Sequence, residues 1–209
     1  MKLYNFDPAP NARRVRIFLA EKGIEVETVG VDLRDGGQFT DDFQAINPRC
    51  TVPMLELDDG TRIDESGAIC RYFEAIQPSP SLMGSTPTEM AVIEAWHRRI
   101  ELEGLAPGSD ALRNGAKSFK DRAVSGSRPF PQIPELAERG VKRLHLFFDM
   151  LNSRLGESPY VAGPEFSIAD ILAYVVIDFA AWVKAVPSDE HTNLKAWYAK
   201  VAERPSSKA

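Results

Sequence analysis

The sequence predicts an α/β domain with a mixed four-stranded sheet, followed by an all-helical domain. Before residue 78, short β-prone runs alternate with helical patterns. Residues 78–87 read PSPSLMGSTP, a composition that favours a linker, and almost no strand pattern follows them. We therefore place the first domain at residues 1–78, the linker at 79–87 and the helical domain at 88–209.

Four strands and three helices are predicted in the first domain. The strands are residues 2–6, 25–33, 54–57 and 61–63, and the helices are residues 11–22, a weak one near 41–45, and 66–76. Gly23 ends the first helical pattern, as glycine often does. The turn Asp58-Asp59-Gly60 makes the last two strands a hairpin, whereas the first two need a crossover, so the sheet is mixed.

Helical patterns dominate the second half. They cover roughly residues 88–113, 133–156, 168–185 and 190–203. The third begins with Phe166-Ser167-Ile168-Ala169-Asp170-Ile171, which has a serine at the N-cap and an acidic residue three positions later. That spacing is a capping box, and we assign it a structural role.

Bulk composition excludes several classes of function. Lys and Arg total 25 against 30 Asp and Glu, a net charge of -5, which argues against nucleic-acid binding. Two cysteines, Cys50 and Cys70, cannot form a disulfide framework and favour a reducing cytoplasm. The start, MKLYNFDPAP, lacks the apolar region of a secretory signal, and the run ILAYVVI is too short to span a bilayer.

Two short motifs point to a small, charged, peptide-like ligand. A cis bond at Val52-Pro53 would turn the Val52 main chain outward, where it could pair with an extended peptide. The alternative is an ordinary trans proline that opens a strand. Ser66 begins a helix, whose free amides and positive end suit a carboxylate, and Glu65 beside it suits an ammonium group. Here the alternative is a simple helix cap.

Taken together, these residues resemble the cytosolic glutathione transferases. The stretch NPRCTVPMLELDDGTRIDESGAICRYFE is similar to their glutathione-binding half, and APNARRVRIFLAEKGIEVE to their first helix. FSIADI resembles the capping box of their helical domain, and Arg204-Pro205 is also in pattern. The resemblance covers essentially the whole chain, with its pieces in order.

The resemblance implies a thioredoxin-like first domain, a helical second domain, a cytoplasmic homodimer, and glutathione as co-substrate without a metal. It implies that the Val52 main chain pairs with the cysteinyl part of glutathione and that Pro53 is cis. Glu65 and Ser66 would hold the γ-glutamyl end, and Gln38 would contact the glycyl end. A second site, apolar and open, would receive an electrophile.

The usual active residues of that family are missing. Its tyrosine position corresponds to Asn5, and its serine position to Ala9. Its cysteine position corresponds to Asn11, which resembles members with an asparagine there. An amide can donate a hydrogen bond to a thiolate but cannot act as a nucleophile or carry a proton. Asn11 is therefore our candidate for stabilising the glutathione thiolate, with capping of the first helix as the alternative.

Other reactive side chains favour simpler interpretations. Arg13, Arg14 and Arg16 fit a solvated helix face better than a contribution to the potential of the site. Cys50 lies near Val52, but packing is a simpler role for it than redox chemistry, and Cys70 falls inside a helix. The three histidines, His97, His145 and His191, are scattered and form no metal motif. Trp96 is more typical of a core than of a substrate site.

The expected function is a glutathione transferase that adds the thiolate to an electrophilic, mostly apolar substrate. Three alternatives remain open. One is a glutathione-dependent peroxidase or disulfide reductase on the same fold, and another is a non-catalytic ligand-binding or regulatory protein. A cis–trans isomerase is weaker, because its Ser-Ser-Cys motif is Ala9-Pro10-Asn11 here.

Overall fold

The computed structural model describes residues 1–209, the whole chain. They form two compact units. The first comprises Met1–Pro80, Val124–Pro129 and Ala209, and the second comprises Ser81–Ala123 and Phe130–Lys208. The first unit is built on a sheet and the second is helical, so the predicted order of an α/β part and an all-helical part is confirmed.

The first unit contains four strands: β1 (Lys2–Asn5), β2 (Glu27–Gly30), β3 (Met54–Glu56) and β4 (Arg62–Ile63). Their order across the sheet is β2-β1-β3-β4. β1 runs parallel to β2 and antiparallel to β3, and β3 pairs antiparallel with β4. The sheet is therefore mixed, as predicted. β2 is shorter than the predicted 25–33, because only four of its residues have partners on β1.

Three helices accompany the sheet: α1 (Pro10–Lys22), α2 (Asp41–Ile46) and α3 (Ser66–Ile76). Pro10 occupies the first helical position of α1, where its missing N–H costs no hydrogen bond. Gly23 ends α1 with φ of 63°, a left-handed conformation that glycine adopts without strain. Pro10 thus helps to fix where α1 begins after β1, and hence the position of Asn11.

Two sets of apolar side chains hold the first unit together. One consists of buried side chains of α1, α3 and β3, and it includes Val15, Phe18, Leu55 and Phe73. The other consists of Tyr4, Val31, Phe43, Val52 and Met54. Burying each such side chain contributes about 1.5–3 kcal/mol. Val52 is thus anchored by its side chain, which leaves its main chain as the part available to a ligand.

The second unit contains five helices: α4 (Pro87–Ile100), α5 (Ala106–Gly115), α6 (Pro134–Glu157), α7 (Ile168–Ala181) and α8 (Thr192–Ala202). The single helix predicted over 88–113 is interrupted by a π-helical turn, Glu101–Leu105. Pro107 lies two residues after this turn and has no N–H for a regular helical bond, which accounts for the irregularity. A side chain at Gly140 would meet the Pro107 carbonyl at 2.5 Å, so α5 and α6 approach closely there.

The capping box predicted at the start of α7 is present. The Asp170 carboxylate accepts from the Ser167 amide at 3.0 Å, the Val161 amide at 2.9 Å and the Trp197 indole at 3.0 Å. Burial raises the pKa of Asp170 to about 6 in spite of these donors. The box thus ties the helix start to its neighbours.

None of the helices is both long and apolar enough to cross a membrane.

Candidate glutathione site

Asn11 lies in the first turn of α1, half-buried, at the positive end of the helix. The N-cap of α1 is Ala9, and no side chain caps the helix. The alternative role of Asn11 as a helix cap is therefore wrong.

Asn11 belongs to a three-residue hydrogen-bond network with Arg14 and Ser66. Arg14 Nη2 donates to Asn11 Oδ1 at 3.2 Å, and Ser66 Oγ donates to the same oxygen at 3.2 Å. Arg14 Nη2 also donates to Ser66 Oγ. Both hydrogen bonds of the Asn11 side chain use Oδ1, so its Nδ2 remains as the donor for a ligand.

Arg14 is the residue whose role the sequence interpretation missed. It is only 2% exposed, so its assignment to a solvated helix face is wrong. A signal was present, because Arg14, Phe18 and Lys22 recur every four residues along one face of α1, and all three are buried. A cation in such a stripe needs acceptors, and Asn11 and Ser66 are two of them.

Ser66 occupies the first position of α3, and Glu65 is its N-cap residue. The Glu65 side chain does not cap the helix, which leaves the amides of the first turn open to a carboxylate. Its carboxylate instead lies 3.1 Å from Arg49 Nη2, while Arg49 Nε lies 3.4 Å from Asp64. Arg49 is a second residue that sequence reasoning missed. Its side chain is 63% exposed, so this ion pair is weak and can yield to a ligand ammonium group.

The Val52–Pro53 peptide bond is cis, as the resemblance implied. β3 begins one residue later, at Met54. The main-chain N–H and C=O of Val52 form no hydrogen bond within the protein. They are therefore unsatisfied groups at the end of a strand, where an extended peptide can add to them.

Gln38 lies in a 3₁₀ turn, Gly37–Phe39, and is 7% exposed. Its buried Oε1 has no hydrogen-bond partner. An unsatisfied buried acceptor costs about 1–3 kcal/mol, so a ligand N–H here would be stabilising. No hydrogen bond joins Gln38 or Val52 to the network of Asn11, Arg14 and Ser66.

Neither cysteine has the environment of a nucleophilic thiolate. Cys50 is buried in a left-handed conformation, and its Sγ lies 3.7 Å from the Pro48 carbonyl. Desolvation raises the pKa of Cys50 and raises that of Cys70 to about 12. Both thiols are protonated at neutral pH, which supports the packing role.

No three His, Cys, Asp or Glu side chains are grouped to hold a metal ion.

In the second unit, Trp96 is half-buried rather than part of the core. The guanidinium groups of Arg99 and Arg154 lie 4.5 and 5.3 Å from its ring centre. These stacking contacts account for Trp96 without a substrate.

Comparison with known proteins identifies the family to which the chain belongs. Residues 9–76 match the family model "Glutathione S-transferase, N-terminal domain", and residues 119–205 match "Glutathione S-transferase, C-terminal domain". Glutathione S-transferase 2 of Saccharomyces cerevisiae is 39% identical over 100% of this chain and 88% of its own length. The chain belongs to the glutathione S-transferase family.

Two further comparisons extend this assignment. The crystal structure of Gtt2 from Saccharomyces cerevisiae superposes with a TM-score of 0.91 at 37% identity, covering 100% of this chain and 99% of that one. Its agreement confirms the thioredoxin-like first domain and helical second domain of a glutathione S-transferase. Disulfide-bond oxidoreductase YfcG of Escherichia coli is 28% identical over 97% of this chain and 90% of its own length.

Proposed function

We propose that this glutathione S-transferase binds glutathione on its first unit and stabilises the thiolate through Asn11. One observation carries the proposal. The Asn11 oxygen is engaged by Arg14 and Ser66, which leaves its N–H₂ group as a donor at the positive end of α1. A thiolate needs a donor of this kind.

The energies are sufficient for this chemistry. A free thiol has a pKa of about 8.5, and lowering it by about two units requires roughly 2.7 kcal/mol of preference for the anion. A hydrogen bond to a charged group supplies about 1.5–3 kcal/mol, and a helix N-terminus adds about 0.3–1 kcal/mol. Asn11 would thus activate the thiol without accepting its proton, and water would take that proton.

The remaining site residues match the other parts of glutathione. We assign the γ-glutamyl carboxylate to Ser66 and the first amides of α3, and its ammonium group to Glu65, where it would displace Arg49. The Val52 main chain, next to cis Pro53, would pair with the cysteinyl residue like an added strand. Gln38 Oε1 would accept from the amide of the glycyl end.

Bound in this way, the thiolate would attack an electrophilic, mostly apolar substrate. The sulfur forms a bond to an electrophilic carbon, and that carbon loses its leaving group, such as a halide. The protein contributes thiol activation and proximity. Glutathione-dependent release of halide from an activated aryl halide tests this reaction directly. Turnover supports the proposal, whereas its absence with bound glutathione would contradict the transferase reaction.

A second candidate is a glutathione-dependent disulfide reductase or peroxidase. The Tyr, Ser or Cys usual in the family is absent here, and the relative YfcG carries the name disulfide-bond oxidoreductase. Here the glutathione thiolate attacks a disulfide or peroxide, and a second glutathione completes the reduction. Reduction of a small disulfide or an organic hydroperoxide, without aryl halide turnover, would favour this candidate. No turnover with any of these substrates would indicate a protein that only binds its ligand.

A homodimer and a cytoplasmic location, which the family resemblance implies, remain predictions. Light scattering on the purified protein should give twice the mass of one chain if the dimer forms. A mass equal to one chain would contradict it.

A further inference from the structure

A buried cation, Arg14, contacts two of the side chains that we assign to glutathione binding. Arg14 is 2% exposed, and its Nη2 donates both to Asn11 Oδ1, at 3.2 Å, and to Ser66 Oγ. We infer that Arg14 is a positioning residue, which fixes the orientation of the Asn11 amide and thereby the thiolate donor. This inference rests on the proposed function of Asn11.

The chemistry of the two side chains determines how the Asn11 amide is oriented. An amide has one acceptor end and one donor end of nearly equal shape, so packing alone does not decide which end faces inward. A guanidinium group has donors only. Rotating the Asn11 amide by half a turn would place Nδ2 against Arg14 Nη2, two donors in contact, in a partly buried site. Arg14 therefore selects the orientation in which Nδ2 is left for the sulfur.

Ser66 alone could not maintain this orientation once the ligand is bound. Its hydroxyl donates to Asn11 Oδ1 in the present structure. A carboxylate at the start of α3 would compete for that single hydroxyl proton, because a hydroxyl has one donor. Arg14 would then be the remaining donor to Asn11 Oδ1. Removing the Ser66 hydroxyl should thus weaken glutathione binding, whereas removing the Arg14 guanidinium should raise the pKa of the bound thiol.

The charge of Arg14 also acts on a neighbouring thiol. On α3, the same guanidinium opposes the rise in the pKa of Cys70 that burial causes. A structural role would be a sufficient account of Arg14 if it only held α1 against α3. Lys22 shows what such a role looks like, since this buried cation of α1 donates to the carbonyls of Gln77 and Pro80, at 2.7 and 2.6 Å.

The test is a pH titration of the bound glutathione thiolate by its ultraviolet absorbance. At a pH below the pKa of the bound thiol, we expect Arg14→Met to lower the thiolate fraction about tenfold, corresponding to one pKa unit. Arg14→Lys, with an ammonium that makes a single contact, should lower it about threefold. Lys22→Met is the control, and it should lower stability but leave the titration unchanged. A folded Arg14→Met with the wild-type titration would overturn the inference.

A double-mutant cycle decides whether Arg14 acts through Asn11. The effect of Arg14→Lys on the titration should vanish in an Asn11→Ala background, and an effect of equal size in both backgrounds would overturn positioning. This cycle needs only Arg14→Lys, so it stands even if Arg14→Met does not fold. A change with Asn11→Ala but none with Arg14→Lys would overturn this inference alone. No change with Asn11→Ala would overturn the proposed role of Asn11.

Discussion

Ser66 Oγ lies 3.2 Å from Asn11 Oδ1, so a hydrogen bond connects the first turns of α3 and α1. These residues are 55 positions apart in the chain. In our proposal, one holds the carboxylate of glutathione and the other its sulfur. Arg14 donates to both, and the two groups thus form one unit around a buried cation.

Replacing Asn11 by aspartate tests the need for an N–H donor. Aspartate has nearly the same shape and can accept from Arg14 and Ser66, but it has no N–H and carries a charge that opposes a thiolate. We expect Asn11→Asp to lower kcat/KM with an aryl halide more than tenfold and more than Asn11→Ala does. Thermal unfolding without ligand provides the control for folding. Activity of Asn11→Asp at or above that of Asn11→Ala would contradict the donor role.

Removing the Ser66 hydroxyl should weaken glutathione binding. The lost contact to a carboxylate corresponds to about 1–3 kcal/mol in the free energy of binding. Calorimetry on Ser66→Ala measures this loss, with Ser153→Ala, an exposed position of α6, as the matched control. Unchanged affinity of Ser66→Ala would remove Ser66 from the site.

Glu65 should discriminate glutathione from an analogue that lacks the α-amino group. The wild-type protein should bind glutathione about tenfold more tightly than this analogue, a difference near 1.4 kcal/mol. Glu65→Gln should remove the preference while leaving the affinity for the analogue unchanged. If Glu65→Gln keeps the preference, the ammonium group binds elsewhere.

Asp170 should give the stability of the protein a specific dependence on pH. Burial raises the pKa of this carboxyl from its ordinary 3.8 to about 6. Because the folded-state pKa is the higher one, its contribution to the free energy of unfolding is full below about pH 3.8 and is lost as the pH rises through about 6. The difference corresponds to on the order of 3 kcal/mol.

Urea unfolding at several pH values between about 4 and 7 measures this loss. The free energy of unfolding of Asp170→Asn should fall less steeply with pH than that of the wild type. Asp189→Asn is a suitable control, because Lys195 lowers the pKa of the exposed Asp189 and the sign of its effect is opposite. Parallel curves for the wild type and Asp170→Asn would contradict the buried titration.

Local patterns were enough to predict much of the fold. The turn at Gly60 and the capping box at Ser167 each depend on nearby residues, and both lie where expected. The interruption at Glu101–Leu105 was not predicted, because the helical pattern of residues 88–113 continues across it and masks the local effect of Pro107. β2 was predicted too long, because strand length depends on its partner.

The candidate site was predicted where a residue's own chemistry indicates its role. Ser66 at a helix start and Pro53 before a strand belong to this class. The roles of Arg14 and Arg49 were not anticipated, because Ser66, Asp64 and Glu65, to which they bind, are distant in the chain. An arginine followed four residues later by Phe18 on a buried face was nevertheless a readable sign of a buried cation.

A crystal structure of the protein with glutathione would decide whether Asn11 holds the thiolate. We expect the cysteinyl sulfur within hydrogen-bonding distance of Asn11 Nδ2, with the γ-glutamyl carboxylate on Ser66 and the cysteinyl main chain paired with Val52. A sulfur that contacts a different donor, or a tripeptide bound away from Val52 and Ser66, would contradict it.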